Sequence, residues 1–123
     1  MVNPIERHDA TGRLARAVCY GDLLFLSGLT ADDLDQNTRG QTRQILQKID
    51  HYLALGGSDR TRLLSAQIWL RDISHFDEMN AEWDAWVDRR NPPARATVEA
   101  RLAGDRYLVE ISGRLMPAPE GGP

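Results

Sequence analysis

Two segments concentrate the groups able to do chemistry on a small substrate: Pro93-Ala94-Arg95-Ala96-Thr97-Val98-Glu99, and the run from Tyr107 through Glu110 to Arg114. In extended chain alternate residues share a side, so Arg95, Thr97 and Glu99 fall together, as do Glu110, Ser112 and Arg114. An arginine fork suits recognition of a carboxylate, and a glutamate can activate a water. An exposed charged face on an edge hairpin would carry the same residue types, and from these residues alone both readings stay open. If Gly104-Asp105 is a two-residue turn between the segments, Glu99 faces Glu110 and Arg95 faces Arg114. Like charges directly opposite are destabilising, which calls for a ligand, a neighbouring subunit or a different turn.

The elements that must position these residues can be read from periodicity. Val18-Cys19-Tyr20 and Leu23-Leu24-Phe25-Leu26 flank Gly21-Asp22, the pattern of a two-residue type II′ hairpin, and predict strands over 14–20 and 23–28. From Thr38 the apolar residues Ile45, Leu46, Ile49 and Leu53 recur at helical spacing until Gly56-Gly57 supplies a left-handed stop. Leu64, Ala66, Ile68 and Leu70 then alternate with Ser65, Gln67, Trp69 and Arg71, as in a strand with one face in the core. Ser74 with Asp77 resembles a capping box opening a second helix, whose apolar stripe is Phe76, Met79, Trp83, Trp86 and Val87. That helix must end before Pro92-Pro93. Strands over 94–101 and 106–116 complete the order β-β-α-β-α-β-β. The expected fold class is α+β, with both helices on one face of a mixed sheet.

One domain spanning 1–116 is the expectation for a chain of 123 residues, with a disordered Pro/Gly-rich tail over 117–123. The single cysteine, Cys19, excludes an internal disulfide and cannot by itself build a zinc site with the scattered His8, His51 and His75, so no metal is expected. No apolar run approaches the roughly 20 residues of a membrane span. The start has no apolar signal segment, and cytoplasm is the default compartment. A net charge of −3 gives no electrostatic reason for a nucleic-acid or membrane partner, which leaves small molecules. Strand 23–28 is apolar on both sides, and Trp69 sits on the nominally polar side of its strand. Burial of the second sheet face against another subunit explains this better than scattered surface apolar residues.

The segment around Arg95 resembles the signature of the YjgF/RidA family, the reactive intermediate deaminases. Leu24-Phe25-Leu26-Ser27-Gly28, Gln41-Thr42-Arg43-Gln44-Ile45-Leu46, the stretch from Gly56-Gly57-Ser58 to Leu70-Arg71-Asp72, and Phe76 to Trp86 agree in order and spacing. The wording of Met79 to Val87 and the short segment between Gly28 and Gln41 resemble a compact subgroup. The resemblance implies a chorismate-mutase-like homotrimer with ligand clefts between subunits. It also implies cofactor-free hydrolysis of 2-imino or enamine acids, such as 2-iminobutanoate, to 2-oxo acids and ammonia. Within it Arg95 matches the arginine that binds the substrate carboxylate and Glu110 the glutamate that orients or activates water. Ser27, Gly28 and Asn80 match pocket positions. Thr97 stands where the typical deaminase has cysteine, and Leu14 where it has a pocket tyrosine. These departures keep the alternative of a non-catalytic binding protein for small carboxylates. An activity on RNA, attributed to some members, suits this acidic chain less well.

Other residues have plain readings. Cys19 in a strand fits a buried inert thiol better than a reactive one. Trp83, at helical spacing from Met79, fits core better than an aromatic cage. Asp32-Asp33-Leu34-Asp35 lacks the spacing and closing glutamate of a calcium loop and fits a solvated acidic loop.

Overall fold

A computed structural model describes residues 4–115. Strands β1 (Ile5–Ala10), β2 (Ala15–Tyr20) and β3 (Leu23–Leu29) form an antiparallel meander, followed by helix α1 (Thr38–Leu55), strand β4 (Leu63–Leu70), helix α2 (Phe76–Trp86), and strands β5 (Ala94–Glu99) and β6 (Val109–Leu115). One mixed six-stranded sheet results, ordered β1-β2-β3-β6-β4-β5. The β2/β3 connection has positive φ at Gly21 alone of its two central residues, consistent with the expected hairpin turn.

The helices lie on one face. Leu24, Leu26, Ile68, Leu70, Val109, Ile111 and Leu115 point to that side and form one core with Ile45, Ile49 and Leu53 of α1 and Met79 and Trp83 of α2. Asn37 caps α1 by accepting from the Gly40 amide at 2.9 Å. At the other end Gly57 is left-handed, and the Ser58 amide closes back on the Leu53 carbonyl. Glu82 of α2 pairs with Arg39 and Arg43 of α1, tying the helices together.

Three local expectations need correction. First, β1 is an additional strand. Its residues are exposed or half-buried, so no alternation marked it. Second, the last two strands are not a hairpin. β4 lies between them, parallel to β5 and antiparallel to β6, so the apposition of Glu99 with Glu110 and of Arg95 with Arg114 does not occur. Gly104 does form a turn, with Tyr107 N–H donating to its carbonyl, inside a longer connection. Third, Ser74 is not the cap. Asp72 accepts from the Ser74 amide and opens a short 3₁₀ turn, Ile73–His75, that leads into α2. The expectation for 117–123 lies outside the described residues. Among the described residues no helix is long and apolar enough to cross a membrane.

The second face of the sheet carries Tyr20, Leu23, Phe25, Trp69 and Val98, with Tyr20, Phe25 and Val98 exposed. Apolar side chains on both faces of β3 are therefore real, and among the described residues no element covers the second face.

Candidate functional site

Arg95 and Glu110 are carried on opposite faces. Arg95 pairs with Ala66 and so shares the helix side with Thr97 and Glu99, whereas Glu110 pairs with Trp69 and shares the open side with Ser112 and Arg114. Alternation had grouped each trio correctly. Two inter-strand spacings, about 10 Å, separate β5 from β6. Within one chain the two groups do not converge.

Each nevertheless keeps polar capacity that the fold does not use. Nη1 of Arg95 donates to Asn80 Oδ1 at 2.8 Å, and its guanidinium carbon lies 5.3 Å from the Trp83 ring centroid and 5.8 Å from that of Phe76. One side of the fork is thus anchored and its plane backed by aromatic faces, leaving other N–H groups to bind. Burial pulls the Arg95 pKa below its ordinary value, with Asp84 acting in the opposite sense. A concavity of about 360 Å³ opens here between Arg95, Asn80, Trp83, Asp84 and Pro92. Phe76 and Trp83 went unassigned to the site in the sequence, although they stand four residues before and three after Asn80, which places all three on one helix face.

Glu110 lies against β3. Leu26 pairs with Gly113 and Leu29 with Ile111, so Ser27 and Gly28 together oppose the single Ser112 as a β-bulge. A Cβ on Gly28 would overlap Glu110 Oε2 and fall 2.9 Å from Cδ, so only glycine admits the carboxylate there. Among the described residues Glu110 has no hydrogen-bond or ion-pair partner, and burial pushes its carboxyl pKa up. The hydroxyls of Ser27 and Thr97 are also buried without a partner. A second concavity, about 480 Å³, is lined by Ser65, Gln67, Ala96, Ser112 and Arg114 on the open face and reaches the backbone strand of Arg95.

Leu14 lies away from Arg95. It is exposed, closes a turn with Thr11, and precedes β2, which three strands separate from β5. A further concavity of about 700 Å³ holds none of the expected residues; its lining includes Asp9, Arg16, Lys48 and Tyr52. Tyr52 donates to Asp9 at 2.6 Å, and burial, reinforced by that bond, pushes its pKa up to about 12. Lys48 is held by the Thr30 carbonyl and Asp32. The acidic loop is likewise engaged, with Arg106 on Asp35. Cys19 is half-buried, and burial with the neighbouring Glu6 raises its thiol pKa, consistent with an unreactive thiol.

These features define an α+β fold with one sheet face left uncovered by the described residues and polar groups divided between its two sides. The family model described as endoribonuclease L-PSP matches residues 4–114. The RutC family protein of Haemophilus influenzae is 39% identical over 108 residues, covering 87% of this chain and 93% of its own. RutC family protein YoaB of Escherichia coli is 38% identical over 107 residues, with 87% and 93% covered. A YjgF-family crystal structure from Neisseria meningitidis superposes with a TM-score of 0.93 at 39% identity, covering 97% of this chain and 99% of that one. The chain belongs to the YjgF/RidA family.

Proposed function

We propose that the protein is a hydrolytic deaminase of small 2-imino or enamine acids, acting in clefts between subunits of a homotrimer, without a metal or cofactor. The observation that carries this reading is the unpartnered Glu110 carboxylate held over Gly28, with an arginine fork on the opposite side of the same subunit. Since one chain separates the two groups by the sheet itself, a second copy must bring its own Arg95 edge to the first copy's open face. The apolar residues on that face give such a copy something to bury.

In such a cleft Arg95 holds the substrate carboxylate with the donors that Asn80 leaves free. Glu110 takes a proton from a water as its oxygen bonds to the imine carbon, giving a carbinolamine. The proton passes to nitrogen, Glu110 then carries the hydroxyl proton to nitrogen as well, and the C–N bond breaks as the carbonyl forms, giving a 2-oxo acid and ammonia. A carboxyl pKa raised by burial suits both halves of that proton transfer. Ser27 and Thr97 offer buried hydroxyls, and Leu14 gives an apolar wall in place of a phenol.

A binding protein for small carboxylates is the second reading, favoured by the aromatic-backed Arg95 fork, which needs no base. RNA is the less favoured reading on a net charge of −3, with Arg39, Arg43, Arg60, Arg106 and Lys48 each paired with a carboxylate. The deciding experiment generates 2-iminobutanoate in situ with an amino-acid oxidase and follows release of the 2-oxo acid with and without the protein. Release at the uncatalysed rate, alongside measurable binding of 2-oxo acids, would replace the enzyme by the binding protein.

A further inference from the structure

The β1 strand brings together three metal-ligating residues that are far apart in sequence. Glu6 pairs with Cys19 and His8 with Ala17, while Cys19 and Ala17 pair on their other side with the core residues Leu24 and Leu26. Glu6, His8 and Cys19 therefore share the helix-facing side at the β1 edge, the edge opposite β5. The Cys19 Sγ lies 4.0 Å from His8 Nε2, and one ligand atom from each residue falls within 4.8 Å of the other two. Apart from that sulfur contact, neither Glu6 nor His8 has a hydrogen-bond or ion-pair partner among the described residues.

We propose that Glu6, His8 and Cys19 form a site for a thiophilic divalent cation of the zinc class, with a fourth position open to water. Tetrahedral zinc with ligand bonds of about 2.0–2.3 Å sets its ligand atoms about 3.3–3.6 Å apart. The observed spread exceeds this by roughly 1 Å, a gap that side-chain rotation at a strand edge can close. The donor set is the borderline-to-soft mixture that selects zinc over magnesium or calcium. On binding, the Cys19 thiol loses its proton to solvent. Thiolate and carboxylate together then neutralise the divalent charge, which fits a half-buried place. The site is independent of the function read for Arg95 and Glu110.

Cobalt(II) serves as the optical probe, titrated into the untagged, reduced, chelator-treated full chain. The expected result is saturation at one equivalent per chain, with tetrahedral visible bands and a thiolate-to-cobalt charge-transfer band, both removed by zinc. Outer partners of a metal are worth about 10–100-fold in affinity, so loss of a ligand in His8→Gln or Glu6→Gln should weaken cobalt by at least about tenfold. Cys19→Ser should remove the charge-transfer band. Circular dichroism checks each fold, and since Glu6 and His8 lie on an edge strand, their variants decide the matter if Cys19→Ser does not fold. Absence of saturable uptake overturns the proposal. So does uptake without the thiolate band, or affinity unchanged in both strand variants.

Discussion

Gly28 and Glu110 interlock: the bulge in β3 places a residue without a side chain under the carboxylate, and any Cβ there would occupy the position of Oε2. Gly28→Ala is therefore expected to push the carboxylate aside while leaving the core intact. A displacement of about 1 Å can lower a rate by about 100-fold, so turnover of 2-iminobutanoate should fall by that order with an unchanged melting temperature. Equal turnover in Gly28→Ala would mean that the Glu110 position does not matter to the reaction.

Arg95→Lys keeps the positive charge and removes the planar fork. Affinity for a 2-oxo-acid product, measured by calorimetry, should fall most in this variant. Asn80→Ala removes only the 2.8 Å anchor on Nη1. With one hydrogen bond worth about 0.5–1.5 kcal/mol, its loss should raise the dissociation constant by up to about tenfold, less than in Arg95→Lys.

Glu110→Gln preserves shape and removes the base. A general base contributes about 10²–10⁴-fold, and the rate should drop by that range with little change in product affinity. Its effect on stability has the opposite sign. Because burial raises the folded-state pKa, the ionised carboxylate opposes folding above that pKa, and the penalty fades as pH falls through it toward the unfolded value near about 4.3. The variant should therefore melt at or above wild type at pH 7, and the difference should shrink toward pH 4. A variant less stable at pH 7 would indicate that the carboxylate has a favourable partner.

Light scattering should return a mass three times that of the chain. Phe25 stands exposed on the uncovered face, its ring 5.8 Å from the Arg114 guanidinium carbon. Phe25→Asp should shift the population toward monomer and lower activity in proportion. A monodisperse wild-type monomer at micromolar concentration would remove the basis for clefts between subunits.

Gln41, fully buried near the start of α1, donates to the carbonyls of Gln36 and Arg106 and accepts from the Leu108 amide. Gln41→Leu leaves these backbone groups unpaired, each costing about 1–3 kcal/mol, so a large fall in the denaturation midpoint is expected. A midpoint within error of wild type would show that water replaces the side chain.

Both helices, the Gly21-Asp22 hairpin and strand β4 were legible because local rules and packing agree there. Ile45, Leu46, Ile49 and Leu53 repeat at helical spacing and are all buried, and Ala66, Ile68 and Leu70 alternate into the same core. Ile5 to Ala10 was not legible, since its pairing is with a neighbour and its side chains are mostly exposed. The placing of β6 was also hidden, because nothing within 100–108 records which strand the chain will pass. Alternation could group Arg95 with Thr97 and Glu110 with Ser112, but the faces they occupy depend on register against β4. The roles of Ser27, Gly28 and Asn80 came from resemblance alone.

The position of β6 also governs the order in which the protein can be built. This strand lies between β3 and β4, with Leu115 opposite both Leu24 and Leu63. Until it docks, β1-β2-β3 and β4-β5 are separate fragments, each with an unpaired inner edge open to other chains. Contacts spanning most of the chain close the sheet last, a pattern that slows folding. During synthesis the nascent chain therefore displays both inner edges until 109–115 emerge. The contact between Glu110 and Gly28 forms in that same closing step, so a chain that traps before closure is both prone to aggregate and without its carboxylate over the bulge.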